Sequence, residues 1–146
     1  MACPFFMPLE KLENGSWLHP SRLPLGCGWT GHCTAPGHEG QTPSPEELRE
    51  FCNLGYARNC TRLPRDRSWD SVRLAARSLV GGQIQLRYVC ERDHRPAEHG
   101  FLDFDIARSQ WTKPHPDRRV QRMAECVLQA YLAKSQKQDA THAAAS

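Results

Sequence analysis

No two cysteines in this chain stand two to four residues apart, so the knuckle that supplies ligand pairs to most structural zinc sites is missing. No apolar run approaches the length of a membrane-spanning helix, which excludes a helical membrane anchor within these residues. The first ten residues have neither a basic start nor a long apolar run, and they read as no secretion leader. There is no glycine-rich phosphate loop, no zincin helix and no nucleophile elbow, so no common enzyme signature is present. Hydrophobic residues make up only 39%, against about 45–50% in an ordinary globular domain. A chain with that little to bury, and with 10 glycines and 11 prolines, must be rich in loops. It needs something besides apolar burial to fix its shape.

The cysteines answer that need. There are seven among 146 residues, an odd number that does not suit a secreted disulfide framework. Together with the missing leader, it points to the reducing cytoplasm, where thiols stay available for metal. Five of the seven, Cys3, Cys27, Cys33, Cys52 and Cys60, precede position 61. Four thiolates would complete a tetrahedral or cubane ligand set. The spacing C-x29-C-x18-C-x7-C from Cys3 through Cys33 and Cys52 to Cys60 is wide. Widely separated thiolates fit a [4Fe–4S] cluster, which is larger than one ion and is held by cysteines alone. Zinc is the alternative, because Cys33 with His38 and Cys90 with His94 form C-x4-H and C-x3-H pairs.

Cys52 and Cys60 belong to every ligand set. Cys27 competes with Cys3 for the fourth place. Cys3 is preferred because ligation would anchor the N-terminal segment. Cys3-Pro4 is also similar to the Cys-Pro that closes the cysteine run of bacterial ferredoxins, although the run itself is absent. Phe5, Phe6, Trp29 and Phe51 could form an apolar shell around the site, or they could be ordinary core. Cys90 and Cys126 read as small buried hydrophobes.

The pattern of elements predicts an α+β fold. Residues 1 to about 43 show neither period and read as an ordered wrap docked by Trp17, Leu23, Leu25 and Trp29. Ser44-Pro45-Glu46-Glu47 is a capping box that starts a helix. Leu48, Phe51, Cys52 and Leu54 form its stripe, and Gly55 is its stop. Alternation then predicts a three-stranded antiparallel meander over 70–77, 83–91 and 101–106, with Gly81-Gly82 in one turn and a longer loop over 93–100. Pro116-Asp117 opens a second helix with Val120, Met123, Val127, Ala130 and Tyr131 on its apolar side. The chain is thus one domain over 1–133, with a cysteine lobe at 1–62 and the meander and helix at 63–133. Residues 134–146 read as a flexible tail.

Other polar groups read as surface. His94 and His99, with Glu91, Asp93 and Glu98, would form a solvated hairpin tip, and Asp103 and Asp105 the solvent side of a strand. Arg58, Arg62, Arg65, Arg67, Arg73 and Arg77, with Arg118, Arg119 and Arg122, could present a basic face to nucleic acid or an acidic protein. Local ion pairing with neighbours such as Asp66 and Asp70 is the plainer reading. The functional expectation is a small iron–sulfur protein for electron transfer or redox sensing with a protein partner, and a thiol enzyme stays open as a third reading. A zinc- or cluster-stapled binding module is the alternative.

Overall fold

The computed structural model describes residues 1–12 and 23–145, with side chains up to residue 136; Trp17 lies outside the described residues. The elements run β1 (Phe6–Lys11), β2 (Trp29–Cys33), α1 (Pro45–Glu47) passing into a π-helical turn (Leu48–Cys52), β3 (Ser71–Leu79), β4 (Gln83–Arg92), β5 (Arg95–Asp105), β6 (Gln110–Lys113) and α2 (Arg118–Ala145). The fold is α+β, with one antiparallel sheet of β1–β2 and another in the order β3-β4-β5-β6. No described helix is long and apolar enough to cross a membrane.

The N-terminal segment differs from the strandless wrap that its composition implied. Trp29, Gly31 and Cys33 alternate inward on β2, while Phe6 and Pro8 do so on β1. Gly31 and Pro8 hold inward positions without reading as strand-forming apolar residues, so the period was hidden. Pro8 is tolerated because the register shifts beside it. Gly31 is required by close approach, since a Cβ there would lie 2.0 Å from the Met7 carbonyl oxygen.

The meander has four strands, not three. Its first three match the alternation of Val72 and Leu74, of Ile84, Leu86 and Cys90, and of Leu102 and Phe104. β6 adds a short polar strand whose Trp111 ring meets Phe104 edge-on, with centroids 5.3 Å apart. The expected loop over 93–100 is instead a two-residue turn. Asp93 and His94 both take positive φ, 51° and 62°, as this tight hairpin demands. Pro96 falls within β5, next to the register shift at Cys90/Glu91 that lets a proline sit there.

α2 packs on both sheets. Val120, Met123 and Cys126 join Phe6, Leu25, Trp29, Val72 and Cys90, whereas Ala124 and Leu128 join Ile84, Leu86 and Leu102. Arg122 fastens the helix to β1 by donating to the carbonyls of Pro8 (2.8 Å) and Leu9 (2.9 Å). The backbone of α2 stays helical to Ala145, through the stretch assigned to a tail.

Candidate metal centre

Four separate chain segments bring Cys3, Cys33, Cys52 and Cys60 to the lining of one pocket. Cys3 lies between two tethers. Ala2 before it bridges to Val72 with N–H···O bonds of 2.7 and 2.8 Å in the two directions. Its own N–H donates to the Cys52 carbonyl at 3.1 Å. Cys33 closes β2 opposite Phe6. The loop after it folds back, so that Cys33 N–H reaches the Gln41 carbonyl and Gly40 N–H reaches the Cys33 carbonyl, both at 2.9 Å.

Cys52 ends the π-helical turn. The Ser44 capping box starts α1 as its sequence implied, with Ser44 Oγ accepting from Glu47 N–H and Glu47 Oε1 accepting from Ser44 N–H. Thereafter the expected α-helix widens. The Leu48 carbonyl accepts both the Asn53 N–H (3.1 Å) and Asn53 Nδ2 (2.8 Å). That double anchor holds an i to i+5 turn, a form often found at functional sites. Asn53 is fully buried. Its Oδ1 also accepts from Trp29 N–H (3.1 Å) and its Nδ2 donates to the Trp29 carbonyl (3.0 Å), tying the turn to β2. Leu54, expected on the apolar stripe, is exposed. Gly55, with φ of 74°, ends the turn. A Cβ there would crowd Ser71 Cβ at 2.9 Å and the Ala2 carbonyl oxygen at 3.1 Å. Cys60 then sits in a tight bend, its N–H on the Ala57 carbonyl at 2.9 Å.

The pocket wall is largely apolar. Phe5, Phe6 and Phe51 line it as expected of a shell, with Ala35, Ala57 and Leu63, whereas Trp29 belongs to the core beneath α2. Ala35 N–H donates to Cys33 Sγ at 3.4 Å. Burial first, then charge on Cys33 and Cys60, push the Cys3 thiol up to about 11 against the pull of the Phe5 N–H. Burial, and then charge on Cys3, Cys60 and Cys33, drive Cys52 well above the ordinary thiol range. These thiols keep their protons at neutral pH unless a cation takes the protons' place.

The enclosed space is about 20 Å³, room for about one water. Among the described residues no three or more His, Cys, Asp or Glu side chains come together as a single-ion site. The donor set itself, four thiols in an apolar wall, is of the kind that suits a cluster.

Cys27 does not line this pocket. It packs in the core with Trp29 and near Cys126, whose thiol its charge would push up further. Cys90 and Cys126 are fully buried core residues, as read from sequence. The two Cys–His pairs come apart. His38 shares Gln41 Oε1 at 3.0 Å and is not on the pocket wall, while His94 stacks on Tyr56 with ring centroids 4.2 Å apart. Burial raises Cys3, Cys27, Cys52, Cys90 and Cys126 alike.

Glu91 departs from the solvated tip expected of it. It is buried, accepts from Tyr56 Oη at 2.8 Å and pairs with Arg73 at 3.2 Å. Several arginines are locally engaged: Arg67 with Asp70, Arg77 with Gln85, Arg119 with Asp117 and Arg122 with Glu125. Sequence reasoning missed Asn53, whose sole cue was a polar residue just ahead of the Gly55 stop. It also gave Glu47 and Arg62 no part in the site. Glu47 was read only as a cap and Arg62 only as surface charge, yet both line the pocket. No family model matches the chain, and neither a curated protein nor a solved structure matches it.

Proposed function

We propose that this is a small iron–sulfur protein holding one [4Fe–4S] cluster through Cys3, Cys33, Cys52 and Cys60. Its role would be electron transfer or redox sensing, with a protein partner that gives or takes one electron, in the reducing cytoplasm. The observation that carries the reading is the convergence of those four thiols, from four separate segments, on one largely apolar pocket. When bound, the cluster supplies a reversible one-electron couple. The chain's own part is to hold the sulfurs and to keep water out with Phe5, Phe6 and Phe51. Backbone N–H groups also reach sulfur, as Ala35 does at Cys33. No catalytic role is assigned.

A second reading is favoured by the small enclosed space, about 20 Å³. In it the thiols hold one zinc ion as a staple, and a face with Arg58, Arg65 and Arg118 meets nucleic acid or an acidic protein. The test is the visible spectrum of anaerobically purified protein before and after dithionite, with iron, sulfide and zinc assayed on the same sample. Matched iron and sulfide with bleaching on reduction support the cluster. A colourless protein with about one zinc per chain replaces it with the staple.

A further inference from the structure

Arg62 and Glu47 are the two charged side chains on the wall of the thiol pocket. Arg62 follows Cys60 by two residues, and its guanidinium bridges outward. Nη1 donates to Glu47 Oε2, and Nε donates to Gln41 Oε1 at 3.0 Å. Gln41 is the residue whose carbonyl holds the Cys33 N–H. Glu47 begins the turn that ends at Cys52, and its other carboxylate oxygen caps Ser44. One guanidinium thus joins the segments that carry Cys33, Cys52 and Cys60. Both side chains are sheltered, 19% and 26% exposed, so their charges are screened less than those of surface pairs. Both charges stand on the same wall as the four sulfurs, the guanidinium within electrostatic reach of Cys33 and Cys60 and the carboxylate within reach of Cys52.

We propose that Arg62 and Glu47 form a charge pair that sets the reduction potential of the four-thiol site, with Arg62 also positioning its ligand-bearing segments. The assignment rests on the cluster reading above. Four thiolates make the site negative, and one added electron makes it more so. A fixed cation at the wall therefore stabilises the reduced form more than the oxidised form, and a fixed carboxylate does the reverse. Within the intact pair the two effects oppose each other. Removing one charge leaves the other uncompensated, so the two neutral variants must shift the potential in opposite directions.

The experiment uses full-length protein, reconstituted anaerobically with ferrous iron and sulfide. It is titrated with dithionite through mediator dyes, and each variant is read on its cluster-loaded fraction. Arg62→Gln lowers the midpoint potential and Glu47→Gln raises it. Arg62→Lys keeps the charge and so stays near the wild-type potential, but it loses its colour to a chelator faster, because an ammonium lacks the planar fork that spans Gln41 and Glu47. Unmoved potentials, or shifts of the same sign, overturn the assignment while leaving the cluster in place; the Glu47→Gln shift decides it alone if Arg62→Gln does not load. Wild-type protein that takes up no iron and sulfide overturns the cluster reading itself and the charge pair with it.

Discussion

The β3–β6 sheet with α2 is held by ordinary apolar side chains: Ile84, Leu86, Leu102, Ala124 and Leu128 are buried together. The thiol lobe also packs Phe6, Leu25, Trp29 and Leu48 against Val72 and α2, but its pocket is held differently. Around its pocket, order comes from backbone turns, the Ser44 cap, the Asn53 clamp and a wall of sulfur and aromatic rings. A long alternating sheet satisfies its polar backbone by repetition, so its side chains can be chosen for packing. Irregular chain has no such ladder, so each bend needs its own partner. On the proposed cluster reading, the lobe's stability is tied to the bound group, whereas that of the sheet is not.

The sharpest way to break this comparison is Cys52→Ser. Iron and sulfide, or zinc, should be lost from the purified protein, and the metal-linked stability with them. Melting of the metal-free forms should differ little between variant and wild type. Equal loss with and without metal would make Cys52 mere packing.

In the other region Leu86→Ala should cost about 2–5 kcal/mol by urea unfolding, in loaded and metal-free protein alike, since Leu86 is fully buried with Ile84, Leu102 and Leu128 in a cluster that holds none of the four thiols. A cost that appears only with metal would show the two regions to be one unit.

Asn53→Ala comes next. It removes the partner of Trp29 N–H, of the Trp29 carbonyl and of one bond to Leu48, for about 1–3 kcal/mol. It should also speed metal loss to a chelator, which Leu86→Ala should not.

The pH dependence separates the regions again. Burial holds the Cys90 and Cys126 thiols up at about 12 in the folded core, above their unfolded values near about 8.5. Folded pKa values that are raised mean stability fully present below about pH 8.5 and lost as pH climbs toward about 12. Cys126→Ala should move the alkaline unfolding midpoint upward, by circular dichroism; a downward shift would reverse the sign. The smallest effect belongs to Ser44→Ala, about 1 kcal/mol from the lost cap, felt in the lobe before the sheet by hydrogen exchange.

Much of the sheet region was legible because strand period and side-chain burial are one signal there: Ile84, Leu86 and Cys90 alternate in sequence and in space. The short β6 escaped because Gln110–Lys113 has one apolar residue and owes its place to pairing with β5. In the lobe, Trp29-Gly31-Cys33 alternates in burial but not in hydropathy, so β1–β2 was invisible. The capping box and the Gly55 stop are local chemistry and were readable. The π-helical turn between them was not, because its cause is Asn53 reaching across to Trp29 on β2.

By itself the sequence determined that five thiols fall early and that none are spaced as knuckles. These follow from composition and spacing along the chain. Only the tertiary structure decided that Cys3 faces Cys33, Cys52 and Cys60 while Cys27 turns to α2, and that Arg62 and Glu47 stand on the same wall. Cys3 and Cys27 compete for one ligand place in sequence. The Ala2–Val72 bridge carries the first to the pocket, and the packing of α2 takes the second away.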